Sequence, residues 1–249
     1  MLPILFESGP IKVYSFGVMV IVAFALCYYL AWDGFKKLDI ERQKLNMVIA
    51  IIAISAFFGA KLFYIFEIRH AVNLGLIQSF ELNAGLVWYG GFFFSVIAGF
   101  FYIGRWHQKR LDAIDVLMPL VLLGYAIGRI GCFLAGDGDY GPPSDLPWAM
   151  AFPNGVVPVA TKVHPTPLYD SALSFTFFLI TQLNKKRWQR GITAIIALFF
   201  LGLTRFITEF FRTTEIWYFG WFTLAHVFSL FLMGSAIFWF LTVRIKNNK

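Results

Sequence analysis

The sequence predicts an all-α polytopic membrane protein, with about seven transmembrane helices and a small cap on the outer face. Three observations carry that prediction. The 249-residue chain is 59% hydrophobic and only 14% charged, whereas a soluble domain carries about 25% charged residues. Its apolar residues gather into stretches close to the ~20 residues a helix needs to cross hydrocarbon. Its lysines and arginines collect in alternate connections, as they do where topology is set by charge.

The apolar stretches fall near residues 13–32, 46–68, 86–104, 114–136, 168–183, 191–212 and 221–243. The first is too long for the apolar core of a cleaved signal and has no short basic segment before it, so it is expected to stay as a span. The fifth is the shortest and is expected to begin earlier or to tilt. Cys27 and Cys132 lie in different stretches and offer neither a disulfide framework nor a metal-ligand spacing. No internal repeat or composition break divides the chain, so residues 1–249 are expected to form a single domain, with residues 137–167 as a cap within it. Prolines at 142, 143, 147, 153, 158 and 165 exclude a long helix there.

Charge then sets the orientation. Fourteen cations lie in connections on one side: Lys36, Lys37, Arg42 and Lys44; Arg105, Lys109 and Arg110; Lys185, Lys186, Arg187 and Arg190; Arg244, Lys246 and Lys249. The other side holds Lys12, Arg69 and Lys162. The positive-inside rule places the amino terminus outside and the carboxyl terminus in the cytoplasm. The net charge of +7 is therefore assigned to orientation and anionic lipid rather than to nucleic acid. The outer side receives the two long connections, 69–85 and 137–167.

Four cations remain inside or at the ends of spans: Lys61, Arg129, Arg205 and Arg212. An arginine in hydrocarbon costs roughly 2.5–3.5 kcal/mol on insertion scales and usually faces a cavity, a partner or an anionic ligand. Arg129 sits toward the outer end of the fourth span, and a loop with Gly136, Asp137, Gly138, Asp139 and Gly141 follows it. Glycines there permit positive φ and let amides point at a ligand. Glu209 is four residues from Arg205 and three from Arg212, which puts all three on one helical face. Two arginines against one glutamate leave an expected excess of positive charge, suited to forked recognition of a phosphate. A helix-stabilising ion-pair ladder is the plainer reading of the same three residues.

Tyr89 lies at an outer interface, where an aromatic belt alone explains it. Gly90 and Gly91 permit close approach of helix backbones. His164 leads into the fifth span on the outer face, and His226 reads as a packed or hydrogen-bonded histidine. All the candidates map to the outer half, as a cationic cavity for a phospholipid head group or another anionic lipid would require. No inverted repeat or paired broken helices suggest a solute transporter, and no glycine-flanked serine elbow suggests a serine protease.

Several blocks occur together in one order: Tyr89-Gly90-Gly91, Gly128-Arg129-Ile130-Gly131-Cys132-Phe133 with its acidic glycine-rich tail, Ala149-Met150-Ala151-Phe152-Pro153, His164-Pro165-Thr166-Pro167-Leu168-Tyr169-Asp170, and Arg205 to Arg212. With the amino-terminal segment Gly9 to Gly17, they resemble the bacterial prolipoprotein diacylglyceryl transferases along essentially the whole chain. The resemblance implies seven spans and a periplasmic cap in the bacterial inner membrane. It implies transfer of the diacylglyceryl group of phosphatidylglycerol to the lipobox cysteine in the signal peptide of a preprolipoprotein, with a thioether formed, glycerol phosphate released and no metal or cofactor. By resemblance Arg129 and Arg205 stabilise the leaving phosphate, Glu209 orients Arg205, and Arg212 holds the helix end or the head group. Tyr89 aligns where many members have histidine and is a weaker proton acceptor, so the base, if one is needed, is His164, an acidic residue of the loop, or solvent alone.

The chain also departs from the family pattern. The signature on the fourth span usually reads Gly-Arg-x-Gly-Asn-Phe-x-Asn-x-Glu; Cys132 and Ala135 stand at its two asparagines, and Asp137 or Asp139 at its glutamate. Those replacements motivate a second expectation, a phospholipid-binding or lipid-translocating membrane protein that keeps the cavity without the chemistry. Cys132 itself is expected to be a small packed residue.

Overall fold

Each of the seven apolar stretches holds a helix. In a computed structural model of the chain, residues 1–9, 11–71, 88–106, 109–213 and 222–247 are described, with side chains omitted at 11, 66–71, 88–89 and 244–247. The helices are α1 (Ser15–Lys37), α2 (Arg42–Ala71), α3 (Trp88–Gly104), α4 (Arg110–Ala135), α5 (Thr166–Asn184), α6 (Ile192–Glu209) and α7 (Leu224–Asn247). Five of them, α1, α2, α4, α6 and α7, are long and apolar enough to cross a membrane. The fifth stretch does begin earlier than its apolar core, at Thr166. Helix α5 falls outside the five because polar residues, among them Asp170, Ser171, Ser174 and Thr181, make it less apolar; those four are buried. The connection at 72–87 lies outside the described residues.

Large apolar side chains are turned outward on the helices: Phe58, Phe101 and Phe238 are 62%, 69% and 71% exposed. Such density of exposed phenyl rings is unsuited to water and suited to lipid. With the helical content, it makes this an all-helical membrane protein in its main architecture.

The chain divides into two compact units, Trp32–Ile114 and Met1–Ala31 with Asp115–Lys249. In the first, α2 and α3 pack backbone to backbone. A Cβ at Gly59 would overlap the Gly90 carbonyl oxygen, and one at Gly90 would overlap that of Gly59. Ser95 Oγ donates within α3 to Gly91 O at 2.7 Å and lies 3.1 Å from Ile52 O on α2. Gly90 and Gly91 thus do what small residues do in membranes, allowing close dispersion contact where no hydrophobic force separates lipid from protein. The α1 end is closed by Asp39 at φ 53°, with the Ile40 amide donating back to Phe35 O at 2.9 Å, a left-handed C-cap.

In the second unit, strands β1 (Ile4–Ser8) and β2 (Ile11–Tyr14) form an antiparallel hairpin before α1. Strands β3 (Met150–Phe152) and β4 (Val159–Val163) form another within 137–167. Proline density masked that second hairpin in the sequence, although an extended, turn-rich segment is what the prolines imply. Tyr140 stacks on Phe152 with ring centroids 4.0 Å apart, over Val163. Gly136, at φ 64°, ends α4, and its amide donates to Cys132 O at 2.9 Å. Helix α6 starts on the carboxylate of Asp115, which accepts from Gly191 N at 2.6 Å and Ala194 N at 2.8 Å. These are amides a helix leaves unsatisfied at its start. Gly202 lets α6 approach α7, since a Cβ there would lie 2.8 Å from Ser229 O.

Candidate functional site

Three arginines and three carboxylates meet where α4, α5 and α6 end or begin in the second unit. Arg129, in the last two turns of α4, is 8% exposed. Its Nη1 lies 2.5 Å from Asp139 Oδ2 and its Nη2 lies 2.8 Å from Asp170 Oδ2. The Tyr125 ring, one turn earlier, sits 5.9 Å from its guanidinium carbon. Asp139 bridges to Arg212 through its other oxygen. Arg212 also faces Asp170 Oδ2 at 4.0 Å and Glu209 Oε2 at 3.8 Å. Glu209 Oε2 pairs with Arg205 Nη2 at 2.7 Å.

The excess of positive charge expected from Arg205, Glu209 and Arg212 is corrected here. Asp139 and Asp170 bring the described cluster to three cations and three anions. Asp170 is the residue sequence reasoning missed. It is fully buried, and Thr208 donates to its Oδ1 at 2.6 Å. An aspartate in the first turns of a helix reads as a dipole complement; the signal for its true role was the shortage of anions among the intramembrane residues. The helical face assigned to Arg212 is also corrected. Helix α6 ends at Glu209, and Arg212 returns through a turn closed by its amide on Glu209 O at 3.2 Å.

The loop glycines act differently from the expectation as well. Gly136 and Gly138 take positive φ, but the Gly136 amide is used on Cys132 O and the Gly141 amide on His164 O at 3.0 Å. Those amides shape the loop rather than point at a ligand. Gly141 is required by proximity: a Cβ would overlap the Phe211 carbonyl oxygen. Asp137 accepts from the Asp139 amide at 3.3 Å, steadying the loop that carries the bridging carboxylate. Asp137, Asp139 and Cys132 place ligand-type atoms within 4.8 Å of one another, but Asp139 is already engaged by Arg129 and Arg212. Cys132 is buried, with Sγ 3.5 Å from Arg129 Nη1.

His164 stands beside the ion pairs rather than among them. With Trp148, Tyr169, Thr208 and Phe211 it lines a cavity of about 290 Å³. Trp148 Nε1–H donates to the Tyr169 hydroxyl at 2.7 Å, and His164 Nδ1 lies 3.1 Å from the same oxygen. The cavity shares Thr208 with Asp170, so it abuts the charged cluster. Gly90 and Gly91 belong to the other unit, in the α2–α3 contact. The side chain of Tyr89 lies outside the described residues.

A lipid-facing helical bundle with a buried, charge-balanced arginine cluster defines an integral membrane protein with a polar site. Comparison with known proteins narrows that class. The family model described as prolipoprotein diacylglyceryl transferase matches residues 3–242, and the chain belongs to that family. It is 32% identical over 255 residues to the phosphatidylglycerol–prolipoprotein diacylglyceryl transferase of Coxiella burnetii (strain Dugway 5J108-111), covering 95% of this chain and 94% of that protein. It is 30% identical over 252 residues to the protein of the same name from Pseudomonas fluorescens (strain SBW25), covering 95% and 92%.

Proposed function

We propose that this chain is a phosphatidylglycerol–prolipoprotein diacylglyceryl transferase, moving the diacylglyceryl group of phosphatidylglycerol to the cysteine thiol of a preprolipoprotein signal peptide. A thioether product requires that the sulfur–carbon bond form as the glycerol carbon–oxygen bond breaks. The oxygen leaves with its electron pair as glycerol phosphate, and the phosphate gains one negative charge. The nucleophile is the thiolate, so the thiol proton must depart. The observation that carries this reading is the buried trio Arg129, Arg205 and Arg212, held by carboxylates in a family member of matching length.

Arg129 and Arg205 are the proposed catalytic cations, stabilising the charge that grows on the leaving phosphate. Asp170 and Glu209 hold their guanidiniums in place before substrate arrives. The substrate phosphate would compete with Asp139 for Arg129 and Arg212, and the Gly136–Gly141 loop would let Asp139 give way. His164 is the proposed proton acceptor, from its cavity beside the cluster. That role requires Nδ1–H to donate to Tyr169, which leaves the Nε2 lone pair for the thiol. Tyr89 is retained as a candidate from its alignment alone.

The finer architecture is also proposed. All seven helices span the bilayer, with the amino terminus outside, the carboxyl terminus cytoplasmic and the cluster toward the outer leaflet of the bacterial inner membrane. Residues 137–167 form the cap of a single transferase domain. The deciding experiment mixes purified protein in detergent with phosphatidylglycerol and a lipobox-cysteine peptide, and follows release of glycerol phosphate. Thiol-dependent release is expected. Lipid binding without release, under conditions where the Coxiella relative turns over, would sink the proposal.

A further inference from the structure

Helix α7 begins with a reciprocal cap. Thr223 precedes it, and Thr223 Oγ accepts from the His226 amide at 3.4 Å while the Thr223 amide donates to His226 Nδ1 at 3.3 Å. This is a capping box with histidine at the position usually held by Glu or Gln. With Nδ1 accepting, the ring proton resides on Nε2, an atom that is buried without a hydrogen-bond partner among the described residues. The ring is fixed edge-on against Phe206, with centroids 5.2 Å apart, and lies 4.6 Å from Phe210. His226 is only 2% exposed. An unpaired buried N–H is costly, so a cap alone is a poor reason to place histidine here.

The cap has a second output. Thr223 keeps its hydroxyl hydrogen for Glu209 Oε1, at 2.7 Å. Glu209 then has its two oxygens divided, Oε1 on Thr223 and Oε2 on Arg205 Nη2 at 2.7 Å. Without the hydroxyl, the carboxylate keeps only its arginine contacts on Oε2, to Arg205 and at 3.8 Å to Arg212, and the hydrogen bond that fixes its rotation about the last bond is lost.

We propose that Thr223 and His226 are positioning residues for Arg205: the α7 capping box holds the Thr223 hydroxyl on Glu209, and Glu209 holds the guanidinium. The proposal rests on the transferase mechanism, in which Arg205 meets charge that grows only in the transition state. Its loss of aim therefore lowers kcat and spares KM.

The test measures kcat and KM for phosphatidylglycerol per folded molecule, in the glycerol phosphate assay, for wild type, Thr223→Val, Thr223→Ser, His226→Leu and His226→Gln. Thr223→Val and His226→Leu are expected to lower kcat about tenfold, the scale of one hydrogen bond to a charged group, with KM within about twofold. Thr223→Ser and His226→Gln are expected to restore the rate, since serine keeps the hydroxyl and glutamine the acceptor. In an Arg205→Lys background the Thr223→Val change should add less than about twofold, because coupled residues are not additive. A merely structural cap would lower thermal stability equally in both backgrounds and leave kcat per folded molecule alone; that result overturns the proposal. If Arg205→Ala is inactive while Thr223→Val turns over normally, the proposal falls and the transferase mechanism stands. If Arg205→Ala keeps the wild-type rate, the mechanism itself falls, and the proposal with it.

Discussion

The α2–α3 pair and the arginine cluster solve opposite problems. Between α2 and α3 the chain removes side chains, until the Gly59 and Gly90 backbones touch. At the meeting of α4, α5 and α6 it inserts six charged side chains and must neutralise each one. The first contact is cheap in lipid, because small residues gain dispersion without burying a polar group. The second is costly, because ion desolvation can exceed the attraction regained, and such a cluster is weak evidence for stability. The difference teaches where function resides. Glycine contacts hold helices together, whereas the charges, weak as stabilisers, are the proposed seat of the chemistry.

That contrast is open to attack, beginning with the largest effect. Asp170→Asn should destabilise the protein by about 3–5 kcal/mol, the cost of breaking a buried pair from one side, because Arg129 then pairs with one carboxylate, Asp139, in place of two. Thermal unfolding in detergent within a degree of wild type would show that the cluster does not depend on this buried carboxylate. Arg129→Ala and Arg205→Ala should each reduce glycerol phosphate release by roughly 10²–10³, as loss of a transition-state donor does elsewhere. Wild-type rates in both variants would reduce the cluster to a structural ladder. Gly90→Ala should cost about 1–3 kcal/mol from overpacking and leave turnover per folded molecule unchanged; a selective loss of turnover instead would give the α2–α3 contact a catalytic share. Asp115→Ala, which removes the α6 cap, should cost about 1 kcal/mol with kinetics intact, and a change in KM would tie that distant helix end to the site.

Much of this was legible in the sequence, for a physical reason. Charges in apolar stretches are rare, so Arg129, Arg205, Glu209 and Arg212 announced themselves by position alone. Gly90 and Gly91 did so by size. Asp170 did not, because it begins a helix after His164-Pro165-Thr166-Pro167, where an acidic residue is ordinary. The hairpin from Met150 to Val163 was hidden by prolines that broke its alternation. The link from His226 through Thr223 to Glu209 joins the start of α7 to the end of α6, and only the fold brings those ends together. The α6 boundary was overrun because the apolar pattern continues through Phe210 and Phe211 after helical bonding has stopped at Glu209.

The missing side chain at Gly141 has a mechanical consequence. Its backbone rests on the Phe211 carbonyl, and next to it Tyr140 O accepts from the Thr213 hydroxyl at 3.1 Å. The strand of loop that carries Asp139 is thereby riveted to the turn that carries Arg212. The two are tied together like both jaws of a clasp hung from a single pin. If a substrate phosphate enters this cluster as proposed, Asp139 should part from Arg129 more readily than from Arg212, so that the clasp opens on the α4 side.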